Sequence, residues 1–259
     1  FRGEALASIA AVSSLTITTK QKNFLEGSKL QIEAGNILSK EVVGAEPGTS
    51  MDVQNLFFNT PARKKFLKTD AVELKHCLDA VTHYALANPQ VVFKFVHDNN
   101  ILLHSQSSLD QRNTIASIYG IQTAKELIEV DFQNENNKIK ITGFICKPYH
   151  VRNDKTQQVL FVNGRWIKNA DIVNAVYEGY HSTLFVNKHP VFVLHLQLNP
   201  EEIDVNVHPQ KSEIKIEQKE QVAIAVSAAV RQTLQQNKLQ PTVDVQTAPQ
   251  ITFGTPQPR

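Results

Sequence analysis

An Arg-Gly-Glu step opens the chain (FRGEALASIA) and runs straight into a helical stretch, Ala5, Leu6, Ala7, Ile9 and Ala10. A glycine beside a helix start leaves backbone N–H groups free near the positive end of the helix dipole, which suits an anion such as phosphate. An ordinary helix start looks the same. A second segment, GTSMDVQNLFFNTPARKKFLK (48–68), places Arg63, Lys64 and Lys65 in the first turn of a helix that Thr60 caps and Pro61 begins. Cations there oppose the macrodipole by about 0.3–1 kcal/mol each, a local cost that contact with phosphate would explain and that a solvated basic face would also tolerate. A third, FVNGRWIKN (161–169), flanks Trp166 with Arg165 and Lys168 at a turn. That set can hold a nucleic-acid backbone and stack on it, or simply decorate a surface turn. In the fourth, DVNVHPQKSEIKI (204–216), Lys211 lies in a loop between two strands. A compact ammonium can reach a ligand phosphate from such a loop, although most lysines there face water.

Several chemistries are missing. There is no G-x-x-x-x-G-K-[ST], H-E-x-x-H, paired C-x-x-C or G-x-S-x-G, and the nine histidines show no metal-ligand spacing. P-loop hydrolysis, zinc chemistry and a nucleophile elbow are therefore not read here, and no metal site is expected. A formal net charge of +2 gives no bulk argument for nucleic acid, so any such contact must be a local patch. The two cysteines imply no disulfide framework; Cys77 shares a helical stripe with Leu74, Leu78 and Val81, which predicts a core thiol. No apolar run is long enough to span a membrane, and a reduced, cytoplasmic setting is expected.

The elements that must position these residues are α+β in pattern. SLTITTK (14–20), SKLQIEA (28–34) and SMDVQNLFF (50–58) alternate like strands of an antiparallel meander. Residues 70–87 form an amphipathic helix that stops at Asn88-Pro89, and strands over 91–97 and 101–105 flank an Asp98-Asn99-Asn100 turn. Polar SQSSLD marks a boundary near 107, giving domains 1–107 and 108–235. The second holds a helix ended by Gly120, strands near 127–132, 138–146 and 157–162, an Asn163-Gly164 turn and a helix capped by Asn169. Strands over 191–198 and 203–209 follow, with Phe192, Leu194, Leu196 and Leu198 on one face, and then a helix over 219–235. From 236 to 259 the Pro/Gln/Thr-rich composition predicts the start of a flexible linker.

Taken in order, FRGEALASI, GTSMDVQNLFFNTPARKKFLK, FVNGRWIKN and DVNVHPQKSEI closely resemble the N-terminal ATPase region of the MutL family of DNA mismatch repair proteins, over residues 1–235. That family belongs to the GHKL superfamily, together with gyrase, a heat-shock chaperone and histidine kinases. The resemblance implies the later part of an ATP-binding α/β sandwich, followed by a small β-α-β domain of ribosomal-protein type. It implies that Arg2, Gly3, Glu4, Ala5 and Leu6 form the ATP-lid motif, that Thr49 belongs to the Gly-Thr nucleotide motif, and that Lys211 reaches the γ-phosphate. Arg63, Lys64, Lys65, Arg165 and Lys168 are its candidate DNA contacts. ATP and Mg²⁺ are the implied cofactors, and DNA, a MutS-like mismatch-recognition protein and a second copy of the parent are the implied partners. The family's general base, its Mg²⁺-binding Asn and its D-x-G-x-G motif precede FRGEAL and do not occur in these 259 residues. The chain is accordingly read as a fragment, inactive alone, of an ATPase. Another GHKL enzyme such as a topoisomerase subunit, or a non-catalytic DNA-binding or adaptor module, are the alternatives.

Overall fold

The computed structural model describes residues 4–134, 138–204, 215–237 and 239. Its contacts divide the chain into two units, Phe1–His76 and Cys77–Arg259.

In the first unit, α1 (Ala5–Ala10) leads through a tight corner into β1 (Ser14–Lys20), followed by β2 (Gly27–Glu33), β3 (Asn36–Val43) and β4 (Gly48–Gln54). The sheet order is β3-β2-β1-β4, so the meander ends with β4 returning to the free edge of β1. β3 is a strand that the alternation rule misses, because Asn-Ile-Leu-Ser-Lys-Glu-Val-Val does not alternate. The corner after α1 is locked by backbone bonds from two later segments. Gly35 N donates to Ala10 O at 2.9 Å and Phe57 N to Val12 O at 2.7 Å, while the Asn59 amide donates to Ala11 O at 2.9 Å. Ala10, Val12 and Leu15 are the buried residues beneath it. Asn55 and Phe57 both adopt positive φ (52° and 66°), an uncommon conformation for a bulky side chain, just before the short helix α2 (Pro61–Lys64).

Helix α3 (Asp70–Ala87) starts with Asp70 and Glu73 in its first turn, where carboxylates favour the dipole, and spans the division between the units. Cys77 on it is exposed, which overturns the core-thiol reading. The periodicity of the stripe is real, but at residue 77 the face has nothing to bury against.

The second unit holds the main core. After the hairpin β5 (Lys94–His97) and β6 (Asn100–His104) come α4 (Gln111–Tyr119), capped by the Asp110 carboxylate, and the short α5 (Ile121–Lys125). The Asp110 carboxylate accepts from Arg112 N at 2.8 Å. Then follow β7 (Leu127–Asn134), β8 (Ile139–Cys146), β9 (Val151–Arg152), β10 (Gln158–Val162), β11 (Arg165–Ile167), α6 (Ala170–Tyr180), β12 (His189–Pro190), β13 (Phe192–Gln197), β14 (Ile203–Asp204), β15 (Lys215–Ile216) and α7 (Lys219–Gln236). The principal sheet has the order β11-β10-β13-β8-β7, with only the β10–β13 pair parallel. A parallel pair needs a crossover connection, and the connection here contains α6. Asn169 caps α6, its side-chain oxygen accepting from Ile172 N at 3.0 Å, as its sequence predicts. β13 lies between β10 and β8, and Phe192, Val193, Leu194 and Leu196 are all buried. Both faces of this strand are therefore covered, where the sequence pattern predicts one. Helices α6 and α7 pack closely because position 179 has no side chain: a Cβ on Gly179 would lie 2.5 Å from Val230 Cβ.

Among the described residues no helix is long and apolar enough to cross a membrane, and no group of three His, Cys, Asp or Glu side chains could hold a metal ion. The linker expected from 236 onward lies almost wholly outside the described residues.

Candidate functional site

The residues that the sequence assigns to nucleotide fall in the first unit, apart from Lys211. Arg2, Gly3 and Lys211 lie outside the described residues. Glu4 is the N-cap of α1 and makes no side-chain capping bond, and Glu4, Ala5 and Leu6 are exposed. The first amide of this helix with a partner four residues back is that of Ser8, 2.9 Å from Glu4 O. Geometry alone leaves the amides of Ala5, Leu6 and Ala7 without an intrahelical acceptor. With only six residues the helix contributes these N–H donors more than any long-range dipole.

Thr49 sits on β4 opposite Thr19 of β1, their hydroxyls 2.8 Å apart. Thr19 also reaches Gly48 O at 3.2 Å, so the Gly-Thr pair is held at the sheet edge by a neighbouring threonine. Thr49 is exposed, and no hydrogen bond joins it to α1. Along β1, Thr19 lies five residues beyond Ser14, roughly 16 Å from the end that α1 enters.

The five candidate DNA contacts are all exposed. Arg63, Lys64 and Lys65 belong to the first unit, and Arg165 and Lys168 to the second. The macrodipole reading of the first three needs correction. α2 is a single turn, so Arg63 and Lys64 stand in its last turn and Lys65 is its C-cap, where cations are favourable. Thr60 occupies the N-cap position, but its hydroxyl makes no capping bond; it is buried with no hydrogen-bond partner. No local rule is broken by the three cations, and that argument for phosphate contact falls away.

The third segment forms a hairpin, β10 to β11, with Asn163 and Gly164 at φ 47° and 78°, the double positive φ of a tight two-residue turn. Here the structure shows a contact with no trace in residue spacing. Trp166 stacks on His83 of α3, centroids 4.1 Å apart and planes 17° from parallel, with Lys168 Nζ 5.2 Å from the indole centroid. Burial pushes the His83 imidazole down to about 4, against the pull of Asp79 and with a smaller push from Lys168. The ring is neutral at pH 7. One indole face is thus already engaged within the protein.

A second buried imidazole lies on β13. His195 stacks on Phe161 at 4.6 Å, and its Nε2 is 2.5 Å from the Gln111 amide nitrogen, which also donates to Leu86 O at 2.8 Å. An amide donor requires an unprotonated Nε2, and burial pushes this histidine down to about 4 as well. Both histidines are structural bases kept neutral by packing.

Comparison with known proteins adds what these local geometries cannot. Residues 115–235 match the model of the DNA mismatch repair protein, C-terminal domain family. The DNA mismatch repair protein MutL of Streptococcus thermophilus is 37% identical over 241 residues, which is 93% of this chain and 37% of that protein. The chain thus spans little more than a third of the length of that relative. Among solved structures, the N-terminal domain of a DNA repair protein matches with a TM-score of 0.76 at 27% identity, covering 92% of this chain and 77% of that one. The Aquifex aeolicus MutL ATPase domain complexed with ADP matches with a TM-score of 0.62 at 28% identity, over 76% of this chain and 72% of that one. The four ordered segments of the sequence and these matches agree in kind.

Proposed function

The chain belongs with the MutL family of DNA mismatch repair proteins and has the mixed α+β, GHKL-type fold; from that premise we propose that it carries the lid-side and sensor-side parts of an ATP-operated switch in mismatch repair. The likeness to a MutL ATPase domain complexed with ADP is the observation that carries the reading. We take domains 1–107 and 108–235 as its working parts, the second of ribosomal-protein type. The β10–α6–β13 crossover and the family match over 115–235 support that division.

In this reading Arg2, Gly3 and the amides of Glu4, Ala5 and Leu6 hold the phosphates, and Thr49 holds the nucleotide from β4. The unpaired, exposed amides at the start of α1 fit an anionic group, and the threonine hydroxyl at a sheet edge fits a polar one. Lys211 meets the γ-phosphate, where a point charge stabilises the negative charge that develops on the transferred group. Mg²⁺ would be held by the family's upstream motif, as would the water-activating base, so residues 1–259 alone do not turn over ATP. Arg63, Lys64, Lys65, Arg165 and Lys168 contact DNA backbone without reading sequence. The partners of the whole protein are DNA, a MutS-like mismatch-recognition protein and a second copy of itself, in the cytoplasm.

The test joins residues 1–259 to the family's base and Mg²⁺ motifs and measures hydrolysis with and without Lys211→Ala. The substitution lowers kcat by roughly ten- to a thousandfold, the range for loss of one electrostatic stabiliser, while ADP affinity is unchanged. Hydrolysis by Lys211→Ala at the parental rate refutes the assignment of that lysine. Mg²⁺-dependent turnover by 1–259 alone refutes the assignment of the base to an upstream motif.

A further inference from the structure

Within the second unit, away from every residue assigned to nucleotide or DNA, a cleft of about 470 Å³ opens between α3, β6, α4 and the loop before β10. That volume suits an amino-acid side chain with its flanking backbone. Its walls are mixed: Ile101, Leu102 and Ile118 are apolar, and Asp79, His83, Tyr119 and Gln157 are polar. Asp79 supplies the only formal charge on the walls besides its histidines, with no lysine or arginine among the lining residues. It is exposed and forms neither an ion pair nor a hydrogen bond among the described residues. Gln157 is held through its backbone, its carbonyl accepting from Phe192 N at 3.0 Å, yet its side-chain Oε1 is buried with no partner. A buried amide oxygen left unpaired costs about 1–3 kcal/mol, so the atom calls for a donor.

We propose that this cleft receives the side chain of an arginine from a partner polypeptide. An acceptor without a donor, a carboxylate without a cation and an aromatic hydroxyl beside an apolar wall ask together for a positively charged, donor-rich group on an aliphatic stem. Guanidinium answers all three, with five N–H donors in a plane and a stem that packs on Ile101 and Leu102. An anionic ligand such as a nucleotide phosphate meets only the Asp79 carboxylate and is excluded by it. The nearest competing cation is Arg152, whose charge bears on Tyr119; it is matched by Asp154, 3.0 Å from its Nη2. The Asp79 carboxylate pulls His83 and Tyr119 toward their protonated forms, and burial holds His83 neutral all the same, so the cleft stays net negative at pH 7.

His83 connects this cleft to a reporter. Its ring stacks on Trp166, the sole tryptophan of the chain, so a group that docks against His83 alters the emission of one fluorophore. The experiment titrates residues 1–259 with N-acetyl-arginine N-methylamide, and in parallel with the capped citrulline of the same shape, following Trp166 emission and backbone amide NMR shifts at 79, 101, 102, 119 and 157. The expected result is saturable binding of the arginine compound in the millimolar range, with shifts at these amides. Citrulline binds about tenfold more weakly, and so does arginine to Asp79→Asn, since each removes one side of a charge-assisted contact. Asp79 is exposed, so that variant retains the fold, which unchanged amide shifts elsewhere confirm. Equal binding of citrulline, undiminished binding by Asp79→Asn, or shifts that do not saturate overturns the proposal. A crystal soaked in the arginine compound with only a water at Gln157 Oε1 overturns it too.

Discussion

The two buried imidazoles make the second unit acid-sensitive, and His195 lets the size of the effect be worked out. The ring titrates near 4 in the folded chain, because burial disfavours its cation, and near 6.5 when unfolded. A base whose folded pKa is depressed binds fewer protons when folded, so the unfolded state gains stability as pH falls. Above 6.5 both states are neutral and the group contributes nothing to the pH dependence. Between 6.5 and 4 stability is progressively lost, and below 4 the loss is complete. From pH 7.5 to 4.5 the linkage amounts to about 2.5 kcal/mol, a large share of a domain's typical stability. The mechanism is visible: protonated Nε2 would point a second donor at the Gln111 amide, which already faces it as a donor at 2.5 Å. His195→Gln removes the titration and forfeits the stack on Phe161, about 1 kcal/mol at pH 7.5. Urea unfolding followed by Trp166 emission, which reports on this unit, measures both proteins at both pH values. The variant starts less stable at pH 7.5 and ends more stable at 4.5, and His83 and the carboxylates cancel in the difference. Parallel stability-versus-pH curves for the two proteins would refute the reasoning.

Two other outcomes follow from single positions. Gly143 lies in β8 at φ +125° with its missing Cβ 2.1 Å from Val193 O, so Gly143→Ala costs about 3 kcal/mol or more; a urea midpoint equivalent to less than about 1 kcal/mol of loss contradicts that backbone geometry. Cys77 is exposed, while Cys146 is buried, its thiol pushed up by burial. The native chain therefore consumes one equivalent of a thiol reagent quickly and the second only on unfolding, and Cys77→Ser abolishes the fast phase.

Elements set by local chemistry were legible in the sequence. Asn169 before an apolar-periodic stretch, Asn163-Gly164 between alternating residues, and Asn88-Pro89 after a long helix each act within a few residues, and each stands where its pattern puts it. Where the outcome depends on a distant partner, the pattern failed. β3 is a strand because β2 offers it an edge, although its own residues do not alternate. Cys77 follows the helical period of Leu74, Leu78 and Val81, but burial requires a neighbouring surface, and periodicity carries no information about one. The short α2 shows the same limit at its C-terminal side: Pro61 announces the start, and nothing nearby announces that the helix closes after a single turn.

The site divides along the same line. Each of the four segments, taken alone, admits a bland reading: an amide-rich helix start, a threonine on a strand, basic residues on a turn, a loop lysine. Their order along the chain is what made the resemblance specific, because independent accidents do not line up over 235 residues. Structure then acts on each segment separately. It leaves the amides of Ala5 and Leu6 without intrahelical acceptors, and it removes the dipole argument for Arg63, Lys64 and Lys65. The contacts that no spacing announced are the long-range ones. His83 meets Trp166 across 83 residues of chain, and Asp79 shares a cleft with Gln157 across 78. A sequence displays helix starts, turns and periods because these are local energies. A cleft assembled by four elements has no local energy to display, and its signature is an unpaired buried oxygen that only coordinates reveal.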